Sequence, residues 1–123
     1  MIKNKKLALL IVWMLLIFIA SSIPRARIVQ KDLADLILRK IAHIIEYAVL
    51  AILSMKNFKN QKLKVWIFVT FYAITDEFHQ KFVPGRGPSL RDVLIDSFGA
   101  ILGIIYVWKY WHKTPKKIKE LLK

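Results

Sequence analysis

Cysteine is absent from the 123 residues. That excludes disulfides, thiolate-held zinc, a thiol nucleophile and palmitoylation together. No glycine follows the first methionine, so the myristoylation signal is missing as well. The basic start from Lys3 to Lys6, followed by Leu7 to Ala20, has the make-up of a secretory signal. The apolar run is long for a signal, however, and no A-x-A cleavage site follows it. Ala20-Ser21-Ser22 is a weak substitute, so the segment is expected to be retained. No internal repeat, low-complexity tract or soluble domain boundary is present. Acids are scarce: 8 against 21 lysines and arginines, for a formal net charge of +13.

What the chain has in quantity is hydrocarbon. Hydrophobic residues make up 56% of it, above the roughly 45–50% of soluble domains. Four apolar stretches stand out, Leu7 to Ile23, Ile37 to Met55, Leu63 to about Phe82, and Val93 to Trp111. Each is near the ~17–25 residues that a helix needs to cross a bilayer core. The expected fold is therefore all-α, a polytopic membrane protein forming a four-transmembrane-helix bundle. Its helices are placed at about 7–23, 37–55, 63–82 and 90–111 in one domain, 1–112, with a basic cytoplasmic tail at 113–123.

The location of the charges explains the net charge. Three lysines precede the first stretch, four separate the second from the third, and six follow from Lys109 onward, with Glu120 the one acid among them. The other connections and helix ends hold eight basic residues against seven acids. Such a bias puts both termini and the middle loop in the cytoplasm. Lysines beside anionic lipid heads each add about 1 kcal/mol of anchoring. The bilayer is the expected partner. Nucleic acid is not, because the basic residues are not interleaved with stacking aromatics.

Polar residues interrupt the apolar stretches at helical spacing. At about 100° per residue Lys40, His43 and Tyr47 share a face of the second helix, with Glu46 beside His43. On the third, Tyr72, Asp76, His79 and Gln80 share a face, and Glu77 adjoins them. On the fourth, Asp92, Asp96, Gly99 and Gly103 form a stripe. Ser89-Leu90-Arg91-Asp92 has the spacing of a capping box. Gly85 and Gly87 flank Arg86 just ahead of it, which suits a phosphate or carboxylate at the helix start. Gly99 to Gly103 matches the small-residue motif of close helix packing. It is read as packing within the monomer that brings Asp96 near the second or third helix.

Each ionisable side chain costs on the order of 2.5–3.5 kcal/mol at the centre of a membrane helix, so these groups should face inward and mark a site. Lys40, Arg86 and Arg91 are three cations against Glu46, Asp76, Glu77, Asp92 and Asp96, which leaves two carboxylates to be balanced otherwise. If the chain is an enzyme, Asp76, Glu77 and His79 are the candidate acid–base or metal-binding groups, and Lys40, His43, Tyr47, Gln80, Arg86, Ser89, Asp92 and Asp96 are the candidate binding groups. Lys40, His43, Asp76, Glu77, His79, Arg86, Asp92 and Asp96 are expected to converge on one outward pocket. The histidines and carboxylates lack the spacing of a recognised zinc motif, so metal and cofactor are left unassigned.

Ser22-Ile23-Pro24, Lys40-Ile41-Ala42-His43 with Tyr47, Asp76-Glu77-Phe78-His79-Gln80, Pro84-Gly85-Arg86 with Ser89 and Asp92, and Asp96 with Gly99 and Gly103 together resemble the VanZ-like family of small bacterial membrane proteins. The resemblance runs from about residue 7 to 110. It implies a bacterial cytoplasmic membrane protein of the cell envelope, with relatives associated with resistance to the glycopeptide teicoplanin. Three functions stay open: an envelope protein that modulates glycopeptide susceptibility; a membrane-embedded enzyme acting on a lipid-linked or phospholipid head group; and a small proton-coupled transporter. An anionic lipid or a cell-wall precursor head group is the expected ligand class. The oligomeric state is left open.

Overall fold

Helical spacing of apolar residues over most of the chain gives an all-α structure. α1 (Lys5–Ser22), α2 (Leu33–Asn57), α3 (Lys62–Gln80) and α4 (Leu90–Ile105) are followed by a π-helical turn, Tyr106–Tyr110, a 3-10 turn, Trp111–Lys113, and the short α5 (Lys116–Leu121). The computed structural model describes residues 4–23, 33–84 and 89–123, without the side chain of Asp35.

The ends of these elements have local causes. α2 begins ahead of the expected residue 37 because Leu33, Leu36 and Ile37 keep the helical spacing, although Asp35, Arg39 and Lys40 interrupt the apolar run. It ends in a turn in which Lys59 and Asn60 take φ of 52° and 59°. The Asn60 N–H then reaches the Met55 carbonyl at 2.8 Å. α4 begins at the expected position, Ser89 accepting from the Asp92 N–H at 3.4 Å. Its α form stops at Ile105 and not at 111, and the helical path continues as the π turn. Hydropathy cannot separate the two forms, because they differ in hydrogen-bond register and not in composition. The Tyr106 hydroxyl meets Thr114 Oγ1 at 2.7 Å where the chain turns toward α5. Leu122 is then buried in the core, so the segment expected as a basic tail is partly folded back onto the bundle.

Of the described helices, α1 is long and apolar enough to cross a membrane. α2 and α3 carry acids and bases in their turns, and α4 has 16 residues. Yet each of the four long helices exposes large hydrophobic side chains, such as Leu15, Ile41, Phe71 and Leu94. Asp76, Glu77, Gln80 and Asp96 are buried instead. The usual distribution is inverted, with an apolar outside and a polar cluster within.

α2 and α4 pack closest. A Cβ on Gly99 would stand 2.6 Å from the Ile44 carbonyl oxygen, and one on Gly103 would run into the Ala48 carbonyl and stand 2.9 Å from Ala51 Cβ. The expected packing within the monomer is what the two glycines do. α1 is fastened to α2 and α3 by polar ties. Trp13 Nε1 donates to the Glu46 carbonyl at 2.9 Å, Tyr72 OH to the Met14 carbonyl at 2.6 Å, and Asn57 Nδ2 to the Lys6 carbonyl at 2.9 Å.

Candidate functional site

The polar face of α2 meets one partner after another on the facing helices. Lys40 Nζ is 3.7 Å from Asp92 Oδ1, His43 Nδ1 is 3.1 Å from Asp96 Oδ1, and the Tyr47 hydroxyl donates to Asp76 Oδ2 at 3.4 Å. Residues three and four apart on α2 thus match Asp92 and Asp96, four apart on α4, and then Asp76 on α3. This is the placement expected of helical stripes once α2 and α4 are brought close by Gly99 and Gly103.

Asp76 is the centre of the arrangement. It is 4% exposed, and its carboxylate receives hydrogen bonds from Ser21 Oγ at 2.5 Å, Tyr47 OH, and Gln80 Nε2 at 3.2 Å. Three donors from three helices offset much of the cost of burying the group and fix its orientation. Beside it is a cavity of about 70 Å³ lined by Ile17, Ala20, Ser21, His43, Glu46 and Asp76. With Nδ1 of His43 held by Asp96, Nε2 is the ring nitrogen left to donate to, or accept from, a group in that cavity.

The other expected site residues are placed differently. Glu77 is buried and accepts the Ser89 backbone N–H, which makes it a cap for α4. His79 Nε2 lies 2.8 Å from Ser22 Oγ, and its ring stacks on Phe18 with centroids 4.3 Å apart. Asp76 and His79, grouped as acid–base candidates, therefore sit in separate hydrogen-bond sets, each tied to a different serine of α1. Arg86, with Gly85 and Gly87, lies outside the described residues. Among the described residues no set of three His, Asp or Glu side chains is arranged to hold a metal ion.

Ser21 is the contributor that the sequence reading did not name. Its signal was present: a pair of small polar residues ends the apolar run at the depth where the other helices turn polar. Serine is common at such ends, which hid it.

The VanZ/LLP1 family profile matches residues 6–111. The chain belongs to the VanZ/LLP1 family. The match takes in α1 from Lys6 onward, the whole of α2, α3 and α4 and every residue of the polar cluster, and it ends at Trp111, ahead of α5. Family membership and the apolar α1 together give the chain membrane-protein character. No curated protein and no solved structure matches it.

Proposed function

We propose that this VanZ/LLP1 protein is a four-pass protein of the bacterial cytoplasmic membrane, with both termini cytoplasmic. In this reading the polar cluster opens outward and binds a polar group of an envelope component, a lipid-linked or phospholipid head group, and so modulates susceptibility to glycopeptides such as teicoplanin. The four-pass reading is supported by the apolar side chains exposed on every long helix, because lipid tolerates such an exterior and asks that polar groups be satisfied within. The lysines gathered at one end of the bundle support the orientation.

The observation that carries the functional reading is Asp76, nearly fully buried and held by donors from α1, α2 and α3 beside the cavity. A cavity of about 70 Å³ suits a few waters or one small polar group. A glycopeptide is far larger, so any effect on the antibiotic would run through the envelope component. An enzymatic version of this reading is favoured by one further contact: His43, oriented by Asp96, lines the cavity together with Ser21, Glu46 and Asp76, a set able to move a proton to or from a bound head group. Transport draws no such support, since the core next to Tyr47 is made by Leu50, Ala51, Met55, Val65 and Val69.

The test is to replace Asp76 by Asn and His43 by Gln, one at a time, and to measure teicoplanin susceptibility and lipid composition in cells holding equal amounts of protein. Both variants should lose the parent's effect. Full activity in both would defeat the reading, and loss in Asp76→Asn alone would remove the enzymatic version.

A further inference from the structure

At the end of the bundle opposite to Asp76 there is a second, larger space. Leu9 and Trp13 of α1, Ile52 and Leu53 of α2, and Trp111 and Ile118 of the folded-back C-terminal segment help to line a half-open groove of about 550 Å³. The walls are almost wholly apolar. The volume falls within the ~300–1,000 Å³ of small-molecule sites. Along α1 its lining runs from Leu9 to Leu16, about 18 Å to about 8 Å from Ser21 at about 1.5 Å per residue, and it shares no lining residue with the cavity at Asp76.

The rim carries charge of one sign. Lys56 Nζ stands 4.4 Å from the centre of the Trp111 ring, one of the groove's walls. Lys6 is beside it, its carbonyl held by Asn57. Neither lysine has an acidic partner among the described residues. The segment that closes the groove adds Lys113, Lys116 and Lys117, while Lys119 is occupied with the His112 carbonyl at 2.9 Å. An apolar slot with unpaired cations at its mouth is complementary to an amphiphile with a negative head.

We infer that the groove holds one acyl chain of an anionic phospholipid, with the lipid phosphate between Lys6 and Lys56. α5 completes the wall, and it lies beyond the residues that match the family. The groove is thus walled mainly by residues within the family match and closed by Thr114, Ile118, Leu121 and Leu122 beyond it. It does not depend on what the outer cluster binds.

The groove contains its own reporters, Trp13 and Trp111. Full-length protein in a neutral detergent, with Trp66→Phe and Trp108→Phe to remove the other two tryptophans, is titrated with phosphatidylglycerol brominated on its acyl chains, and in parallel with the phosphatidylcholine analogue. Tryptophan quenching by the anionic lipid should be half complete at about a tenfold lower concentration. Replacing Lys6 and Lys56 together by Gln should erase that preference and leave quenching by the zwitterionic lipid unchanged. Excess inorganic phosphate should not displace the lipid. Equal quenching by the two lipids in the parent would overturn the inference in favour of ordinary boundary lipid. A preference that survives the double replacement would overturn the head-group assignment, and displacement by phosphate would overturn the role of the acyl chain.

Discussion

The backbone N–H of Ser89 donates to the carboxylate of Glu77, so the start of α4 is capped from the end of α3. Only half of the capping box is internal: Ser89 Oγ takes the Asp92 N–H, but the reciprocal acceptor is Glu77 and not Asp92. Asp92 is thereby free to face Lys40.

Glu77→Ala should therefore cost stability before function. Orphaning the Ser89 N–H is expected to cost about 1–3 kcal/mol, and Glu77→Gln, which keeps an acceptor, less. Thermal unfolding of the purified variants in detergent measures this, with activity compared per folded molecule. An alanine variant that melts with the parent and yet is inactive would move Glu77 from cap to active participant.

Packing of α2 on α4 gives the second expectation. Gly103→Leu must displace the Ala48 backbone, and overpacking of this kind typically costs ~1–3 kcal/mol. Leu102 is exposed, so Leu102→Ala should be milder. Folded yield and melting temperature compare the two directly, and equal values would mean that the close approach at Gly103 is not needed.

How far the residues announced this structure differs from place to place. The stripe Lys40, His43, Tyr47 and the stripe Asp92, Asp96, Gly99, Gly103 were legible because helical periodicity fixes which side chains share a face, and the two glycines fix which faces meet. Tyr72 was placed correctly on the Asp76 face, but its hydroxyl reaches past the cluster to the Met14 carbonyl. Partner choice of that kind depends on where α1 lies, and a nearly uniform apolar helix carries little directional information about its own rotation. For the same reason Ser21 and Ser22 were not assigned to Asp76 and His79. The return of α5 was hidden as well, since five lysines between Lys113 and Lys123 outweigh Ile118, Leu121 and Leu122 in any average.

Ser54 offers an expectation of the opposite sign. Its hydroxyl is fully buried in α2 and is without a hydrogen-bond partner among the described residues. An unsatisfied buried hydroxyl costs about 1–3 kcal/mol, so Ser54→Ala should raise the melting temperature. A lower melting temperature would mean that a water or ligand satisfies Ser54 in the membrane.

Topology can be tested cleanly because the chain has no cysteine of its own. Single cysteines at Asn60, in the α2–α3 turn, and at Pro84, after α3, should differ in intact cells treated with a membrane-impermeant thiol reagent: labelling at 84 and protection at 60. The lysines around Asn60 motivate the assignment. The reverse pattern would turn the protein over and put the Asp76 cluster on the cytoplasmic side.

Lys40 decides between a tie and a ligand group. Its ion pair with Asp92 is long, 3.7 Å, and about a third of each side chain is exposed, so the pair itself should contribute no more than about 1 kcal/mol. Lys40→Gln should consequently melt close to the parent. If Lys40 holds an anionic head group, that variant loses the effect on susceptibility, and exchanging the two charges, Lys40→Asp with Asp92→Lys, keeps the ion pair without recovering function, because the cation has moved to the α4 side of the pair. Recovery of function in the exchanged variant would mean that the attraction between α2 and α4 is all that Lys40 supplies. The head group would then have to be sought at the cavity of Ser21, His43, Glu46 and Asp76 alone.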